Sequence, residues 1–266
     1  MPILVDSSDD PRLDDFRDVK DAALRLQQGL FLVEGRRNIE VLARQGRFTP
    51  RSVLLTQAAF DAMRDTWAVL PASLPIYLGG KALIEEVVGY DLHRGCLAAA
   101  QRRDEDGPEE ITRRGRLVVV AEDLTDVDNL GSLFRNALAL GAGGLLLSPR
   151  CCDPLYRKAV RVSLGAVLRL PYARARRWPD GLLALRSAGY ALVALDPGPE
   201  SIALDDFAAR APSKIALIVG TEGPGLSREV RELAEARVRI PMAAGTDSLN
   251  VATAAAIAIQ RLGLPA

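Results

Sequence analysis

The second half of the chain alternates short, wholly apolar runs with longer stretches in which apolar residues recur every three or four positions. The apolar runs predict buried strands over residues 117–121, 145–147, 191–195, 215–219 and 238–240. The longer stretches predict amphipathic helices over residues 130–140, 155–164, 181–188, 228–236 and 249–262. Apolar strands that alternate with helices are typical of a parallel sheet covered on both faces. The pattern therefore predicts an α/β domain, which we place at residues 116–266.

The first part of the chain repeats this alternation in a smaller unit. Strands are predicted over residues 31–33, 52–55, 76–78 and 95–100, and helices over residues 11–28, 36–43, 58–67 and 81–88. This part therefore predicts a compact α/β domain at residues 1–102. Residues 103–115 are rich in charge, contain Gly107-Pro108 and have Ile111 as an apolar anchor, so they predict an exposed linker. A long surface loop inside a single domain is the alternative.

Candidate site loops follow the first, fourth and fifth strands of the second half, because ligands bind beyond the carboxyl ends of parallel strands. The first loop is polar and leads into a helix that Asp128 or Asn129 is expected to cap. Arg135 lies within the first two turns of that helix, and Asn129 and Arg135 are expected to face one cleft. The alternative is a capped helix that carries a surface arginine.

The second candidate loop, residues 220–225, is rich in glycine and carries one carboxylate, Glu222. Glycine lets a backbone approach a ligand closely and adopt positive φ. The loop lacks the Gly-Lys-Ser/Thr ending of a P-loop and differs from the glycine motif of dinucleotide-binding enzymes. The third loop contains Ile240-Pro241-Met242 and ends where Asp247 or Ser248 is expected to cap a helix of small residues. A plain tight turn and a plain capped helix are the alternatives.

Composition excludes several kinds of chemistry. The chain has one histidine, His93, and three cysteines, which are too few for the usual zinc sites and leave no nucleophile–histidine pair in a recognisable motif. No apolar run reaches the roughly 18 residues that a membrane-spanning helix needs, and the N-terminal residues do not resemble a secretory signal. We therefore expect a cytoplasmic protein with no metal site and no membrane partner.

Charge is balanced overall but unevenly distributed. The 34 lysines and arginines equal the 34 aspartates and glutamates, and zero net charge by itself argues weakly against a nucleic-acid partner. Arginines nevertheless cluster between residues 36 and 51 and again between residues 150 and 177. Because guanidinium groups suit phosphate contacts, the clustering favours such a partner.

Together, the three loops resemble the signature motifs of the SpoU (TrmH-like) branch of the SPOUT RNA methyltransferases. The matching residues are Asn129, Gly131 and Arg135 in the first motif, Gly220, Glu222, Gly223 and Gly225 in the second, and Ile240-Pro241-Met242 with Ser248-Leu249-Asn250-Val251 in the third. Residues 31–36, Phe-Leu-Val-Glu-Gly-Arg, resemble part of the family's N-terminal substrate-binding domain. Each motif alone is weak, but three in the family's order are a strong match.

The resemblance implies a parallel-sheet SPOUT domain whose chain is threaded into a trefoil knot, an exception to the general absence of knots. It implies a preceding small α/β domain like ribosomal protein L30e, and a homodimer whose sites lie at the subunit interface. It also implies S-adenosylmethionine (AdoMet) as cofactor. By motif, the cofactor-binding residues are expected to be Gly220, Thr221, Ile240, Met242 and Leu249.

The reaction implied by the resemblance is methyl transfer from AdoMet to a ribose 2′-hydroxyl of RNA. Arg135 is expected at this hydroxyl, either as an activated base or as a clamp on a neighbouring phosphate. The clamp is physically easier because guanidinium is very hard to deprotonate. Glu222 is expected to orient Arg135 or to accept the proton through a water molecule, and Asn129, Ser248 and Asn250 to hold the nucleotide or fix the loops.

RNA contacts are expected from the two arginine clusters, through Arg36, Arg37, Arg47, Arg157 and Arg161. Ribosomal RNA is the favoured substrate because the N-terminal domain resembles those of ribosomal-RNA-directed members, and transfer RNA is the alternative. A non-catalytic RNA-binding assembly protein is another alternative. A nucleotide-dependent oxidoreductase is a further alternative, but the chain lacks the phosphate-binding motif of that class.

Overall fold

The chain forms two compact units. The computed structural model describes residues 2–17, 26–92, 94–221, 223–243, 245–246 and 248–263. The first unit comprises Met1–Asp104 and Leu155–Arg169, and the second comprises Glu105–Pro154 and Leu170–Ala266. Leu155–Arg169 thus belongs to the first unit, whereas the sequence pattern placed it in the second domain. Among the described residues, no helix is long and apolar enough to cross a membrane.

Short strands and helices alternate along the described residues. The strands are β1 (Ile3–Leu4), β2 (Leu30–Glu34), β3 (Thr49–Leu55), β4 (Ile76–Leu78), β5 (Cys96–Gln101), β6 (Leu117–Ala121), β7 (Gly144–Leu147), β8 (Tyr172–Arg174), β9 (Ala191–Leu195), β10 (Ile202–Ala203), β11 (Ile215–Val219) and β12 (Ala236–Arg239). The helices are α1 (Arg36–Gln45), α2 (Gln57–Asp61), α3 (Arg64–Trp67), α4 (Lys81–Val88), α5 (Pro108–Thr112), α6 (Val127–Ala139), α7 (Arg157–Val162), α8 (Gly181–Ser187), α9 (Leu204–Ala208), α10 (Arg228–Leu233) and α11 (Val251–Gly263). Short 3-10 helices lie at Pro11–Phe16 and Ala166–Leu168.

The described residues of the first unit form a five-stranded mixed sheet in the order β1-β4-β3-β5-β2. β1, β4 and β3 run parallel, and β5 is antiparallel to both β3 and β2. Leu32, Leu54 and Leu97, from three of these strands, are buried in one cluster with Phe16 of the first 3-10 helix. The unit is therefore a small α/β structure with its own apolar core.

The described residues of the second unit form a seven-stranded sheet in the order β10-β12-β9-β11-β6-β7-β8, and every neighbouring pair is parallel. All residues of the central strand β11 and of its neighbour β6 are buried, as expected for a sheet covered on both faces. The predicted α/β fold with a parallel sheet is confirmed. Because the strands are parallel, the carboxyl ends of β12, β9, β11 and β6 follow one another along one edge.

Part of the predicted linker is folded into the second unit. α5 forms there, and Ile111 on this helix is fully buried in the unit's core. A Cβ added at Gly144 of β7 would lie 2.8 Å from the Cβ of Ile111, so the helix packs directly against the strand at this glycine. Burial of one apolar side chain therefore anchors a stretch that is otherwise charged.

Some other elements differ from the prediction. The helix expected over residues 11–28 begins as a 3-10 helix at Pro11–Phe16, and residues 18–25 lie outside the described residues. The helix expected over residues 58–67 is replaced by two short ones, α2 and α3. The short strands β1, β8 and β10 were not predicted.

Candidate active site

A cavity of about 890 Å³ opens at the carboxyl edge of the parallel sheet, beyond β9, β11 and β12. Its wall is formed by residues 195–198, by residues 219–221 and 223–226, and by several residues between 239 and 254, together with Arg231. Small-molecule sites typically enclose about 300–1,000 Å³. The cavity therefore has the size and the position of a ligand site in a parallel α/β fold.

The glycine-rich turn after β11 folds back on itself beside this cavity. A Cβ on Gly220 would lie 2.5 Å from the carbonyl carbon of Gly225 and 2.7 Å from the amide nitrogen of Leu226, so only glycine fits there. The Gly225 N–H donates to the Thr221 carbonyl at 3.1 Å, and Gly225 has a φ of +69°, which favours glycine. Glu222 lies outside the described residues, so its expected catalytic role stays a prediction.

The residues expected to bind the cofactor all lie on the cavity wall. They are Gly220, Thr221, Ile240, Met242 and Leu249. The first two leave the end of β11, the next two follow β12, and the last precedes α11. The structure thus brings together two chain segments that are about twenty residues apart in sequence, as parallel-sheet topology favours.

Side-chain hydrogen bonds join the first and third motifs. Asn250 Nδ2 donates to Asn129 Oδ1 at 2.7 Å, and Asn136 Nδ2 donates to the Ala252 carbonyl at 2.9 Å. These two contacts link α6 to the start of α11 at points two turns apart on α6. The segment that carries Arg135 is therefore fixed against the segment that lines the cavity.

Both helix caps at the site differ from the prediction. Asp126 caps α6, since its Oδ1 accepts the Asn129 N–H at 2.8 Å; Asp128 or Asn129 was the predicted cap. Asn250 caps α11, because its Oδ1 accepts two N–H groups of the first turn at 3.0 and 3.2 Å. The sequence predicted Asp247 or Ser248 as this cap. Asp247 lies outside the described residues, and Ser248 is exposed on the cavity wall.

Arg135 projects from α6 into solvent. Within the described part of the chain it makes no hydrogen bond or ion pair, and it does not line the cavity. Six residues along an α-helix correspond to a rotation of about 240°, so Arg135 and Asn129 lie on different faces of α6. This corrects the expectation that both face one cleft. Because no described residue pairs with this guanidinium, none of them competes with an external anion for it.

A buried carboxylate that sequence reasoning missed stabilises the start of α10. Glu122 follows β6 and is 2% exposed. Its Oε1 accepts the Ser227 hydroxyl at 2.6 Å and the Trp178 indole N–H at 2.7 Å, and its Oε2 accepts the Ser227 N–H at 2.8 Å. Ser227 also caps α10 and ends the glycine-rich turn. The available signal was a carboxylate directly after a wholly apolar strand.

We expect the Glu122→Gln variant to lose about 1–3 kcal/mol of unfolding free energy. The glutamine amide can keep one oxygen acceptor, but its NH₂ group would face a donor, either the Ser227 N–H or the hydroxyl and indole pair. Urea unfolding monitored by circular dichroism measures this loss. Glu229→Gln, on the exposed face of the same helix, should change stability by about 0.5 kcal/mol or less. Equal stability of the two variants would contradict a structural role for the Glu122 contacts.

The arginines expected to bind RNA have different environments within the first unit. Arg36 and Arg37 are exposed at the start of α1, and Arg47 lies with its guanidinium carbon 5.4 Å from the centre of the Phe48 ring. The remaining two surround one buried carboxylate: Arg157 and Arg161 pair with Glu34.

Of the two arginines, Arg157 makes the closer ion pair with the Glu34 carboxylate. Arg157 pairs with Glu34, and its guanidinium carbon lies 4.2 Å from the centre of the Tyr90 ring. Burial raises the pKa of Tyr90, although the nearby Arg157 opposes this effect. Arg161 Nη1 is more distant from Glu34, at 3.8 Å, and its side chain is 46% exposed. Arg157 therefore has a structural partner, whereas Arg161 keeps much of its charge accessible.

The cysteines are not activated nucleophiles. Burial raises the pKa of Cys96 to about 11 and that of Cys152 to about 12, and it also raises the pKa of Cys151. Thiols with raised pKa values stay protonated at neutral pH and are poor nucleophiles. Among the described residues, no group of three or more His, Cys, Asp or Glu side chains is arranged to hold a metal ion.

Comparison with known proteins agrees with this geometry. A sequence profile of the SpoU rRNA Methylase family matches residues 116–260, which is more than half of the chain's 266 residues. The chain belongs to the SpoU family. An uncharacterized tRNA/rRNA methyltransferase of Mycobacterium tuberculosis (strain ATCC 25618 / H37Rv) is 42% identical to this SpoU protein over 261 residues, covering 94% of this chain and 88% of that protein.

Solved structures of SpoU proteins share the fold. The SpoU methyltransferase AviRb from Streptomyces viridochromogenes, in complex with AdoMet, matches with a TM-score of 0.81 at 27% identity, covering 95% of this chain and 97% of that one. An RNA 2′-O ribose methyltransferase matches with a TM-score of 0.78 at 28% identity, covering 98% of both chains. The family predicted from the three motifs is confirmed.

Proposed function

We propose that this SpoU protein is an AdoMet-dependent methyltransferase that methylates a ribose 2′-hydroxyl of RNA, with ribosomal RNA favoured over transfer RNA. One observation carries the proposal: the three SpoU motifs converge at one edge of the sheet. The second and third motifs line one cavity, and the 2.7 Å hydrogen bond between Asn250 and Asn129 ties the third motif to the first. The AdoMet complex and the 2′-O ribose methyltransferase among the solved relatives support the same reaction.

The cavity fits AdoMet in size and in chemistry. A volume of about 890 Å³ accommodates a nucleoside joined to an amino acid. Leu195, Val219 and Ile240 offer apolar contacts on its wall, and the tight turn at Gly220 presents backbone groups where a side chain would otherwise stand. Flat, uncharged adenine suits such a wall. When bound, AdoMet supplies a methyl group on a sulfonium centre, which is ready for direct displacement by an oxygen nucleophile.

The chain's own residues would align the ribose oxygen and handle its proton. Arg135 is suited to clamp a phosphate next to the target ribose, because guanidinium keeps its proton and binds phosphate through two donors. Asn129 and Asn250 would hold the two motifs in register, and the exposed Ser248 hydroxyl would bond the nucleotide. Glu222 would orient Arg135 or accept the proton through a water molecule.

The family resemblance adds three further proposals. The second unit would contain the trefoil knot, the first unit would be an RNA-binding domain like ribosomal protein L30e, and two chains would form a homodimer with shared active sites. The exposure of Arg135 and its lack of a partner among the described residues fit a site that is completed by RNA or by a second subunit.

The reaction is tested with methyl-labelled AdoMet and purified ribosomal or transfer RNA. After digestion to nucleosides, the label should be found in a 2′-O-methylnucleoside. An RNA that carries a 2′-deoxynucleotide at the mapped position should accept no label. Label on a base would contradict the proposal. AdoMet binding with no transfer to any RNA would instead favour a non-catalytic RNA-binding protein.

A separate prediction concerns the RNA surface of the first unit. α1 starts with Arg36 and Arg37 and has no acidic residue in its first turn, although cations at a helix N-terminus cost about 0.3–1 kcal/mol each. The Arg36→Ala/Arg37→Ala variant should therefore keep or slightly gain stability. If both residues contact phosphate, it should bind RNA more weakly, and the slope of log Kd against log salt should fall by about 1–2.

Filter binding between 50 and 300 mM salt, about the range in which phosphate contacts respond, measures this slope. Arg64→Ala is the matched control, since Arg64 is exposed on α3 and lies 3.8 Å from Asp61. It should leave the slope unchanged. An unchanged slope in the double variant would remove Arg36 and Arg37 from the RNA surface.

A further inference from the structure

Charged side chains occupy part of the cavity wall. Arg239 is the last residue of β12, Arg231 lies on α10, and Asp196 follows β9. The other described wall residues are apolar, glycine or uncharged polar. The Asp196 N–H donates to the Val238 carbonyl at 2.9 Å. Asp196 and Arg239 therefore lie side by side at the ends of two neighbouring strands.

Within the described part of the chain, neither wall arginine has an ion pair or a side-chain hydrogen bond. Comparable arginines on the same elements do have partners. Arg237, two residues earlier on β12, pairs with Glu200, and Arg228 on α10 lies 2.6 Å from Glu232. Arg231 and Arg239 line the cavity, whereas Arg228 and Arg237 do not. No described residue occupies their guanidinium groups, so these groups suit an anionic part of a ligand.

Asp196 adds the opposite charge to the same wall. Its Oδ1 accepts the Gly198 N–H at 3.1 Å, which orients the carboxylate within its own turn. Among the described residues its Oδ2 has no hydrogen-bond donor. The wall therefore offers donors for an anion and an acceptor for a cation at neighbouring positions.

We propose that Arg231 and Arg239 bind the carboxylate of the amino-acid part of AdoMet, and that Asp196 binds its ammonium group. This assignment rests on the proposed function. A carboxylate matches the two-donor geometry of guanidinium, and an ammonium group matches a carboxylate. An RNA phosphate would satisfy the arginines but would be repelled by Asp196 beside Arg239. A zwitterion satisfies both charges.

Calorimetry with two neutral-sulfur analogues tests the assignment. S-adenosylhomocysteine carries the amino-acid part, whereas 5′-methylthioadenosine has the same adenosine and thioether without carboxylate or ammonium. The Arg231→Ala/Arg239→Ala variant should bind S-adenosylhomocysteine about 10- to 100-fold more weakly, as expected for lost charge-assisted hydrogen bonds, and 5′-methylthioadenosine within about twofold of wild type. Asp196→Asn should show the same selectivity with a smaller loss. Arg237→Ala, the matched control, should bind both analogues normally.

Several results would overturn the assignment. One is an unchanged affinity of the double variant for S-adenosylhomocysteine, and another is an equal loss of affinity for both analogues. A third is weaker RNA binding by the double variant with its S-adenosylhomocysteine binding intact, which would indicate that the arginines contact phosphate. If the alanine variant does not fold, Arg231→Gln/Arg239→Gln replaces it. Wild-type protein that binds neither analogue would refute the proposed function itself. Wild-type protein that binds S-adenosylhomocysteine and 5′-methylthioadenosine with equal affinity would refute only the role of the charged residues.

Discussion

Replacing Arg135 with alanine is expected to slow RNA methylation by about 10²- to 10⁴-fold, the range for losing a group that acts on the reacting proton or on developing charge. AdoMet affinity should stay within about twofold of wild type, because Arg135 does not line the cavity. Unfolding free energy should also be retained, since the side chain is exposed and has no hydrogen bond or ion pair within the described residues. Single-turnover methylation, calorimetry and urea unfolding measure these three quantities.

Two further variants sharpen this test. Arg228→Ala removes an exposed arginine from α10 of the same unit and should leave methylation unchanged. Arg135→Lys distinguishes the two proposed roles: a phosphate clamp should keep part of the rate with a pH profile parallel to that of wild type. If residue 135 acts as the base, the rising limb of the pH profile of Arg135→Lys should instead move towards the lysine pKa of about 10.4. Wild-type turnover by Arg135→Ala would exclude Arg135 from the reaction.

Three strands of the second unit could be predicted to the residue because their pattern is simple. β6, β9 and β11 have the predicted bounds to the residue. Each is a wholly apolar run. Polar or glycine residues flank these runs, except that the buried Tyr190 precedes β9. A buried parallel strand has no polar face, so its pattern ends where the strand leaves the sheet. The convergence of their loops then follows from topology alone.

The helix starts at the site could not be fixed from sequence. Asp126, Asp128 and Asn129 are all residue types that cap helices, and only the backbone decides that Asp126 accepts the Asn129 N–H. The same ambiguity at residues 247–250 hides the role of Asn250. This asparagine both caps α11 and donates to Asn129, a combination that needs the tertiary structure.

Long-range polar contacts were also beyond the sequence pattern. Glu122 and Ser227 are 105 residues apart, and Trp178 lies 56 residues from Glu122. No sequence period connects positions so far apart. The place of Glu122 directly after β6 suggests a buried carboxylate, but it does not reveal that Ser227 and Trp178 are its partners. The same holds for Arg231 and Arg239, which differ from other arginines only through the cavity beside them.

Replacing Gly220 with alanine is expected to weaken AdoMet binding by about 100-fold or more, which corresponds to about 2.7 kcal/mol. The new Cβ would lie 2.5 Å from the Gly225 carbonyl carbon and 2.7 Å from the Leu226 nitrogen. Both are backbone atoms, so the turn itself has to move, and that turn forms part of the cavity wall. Unfolding free energy should fall by about 1–3 kcal/mol, as in other overpacked sites.

Calorimetry with S-adenosylhomocysteine and urea unfolding measure the two effects of Gly220→Ala separately. Gly80→Ala is the control, because a Cβ there meets no atom within 4 Å and φ is −64°. That variant should match wild type in affinity and should lose about 1 kcal/mol of stability or less, since Gly80 is the N-cap of α4 and alanine is less favourable there. Normal cofactor affinity in Gly220→Ala would show that the turn can move without disturbing the ligand, and it would separate the glycine-rich loop from cofactor binding. A large loss of affinity with most of the stability retained would locate the damage in the cavity wall.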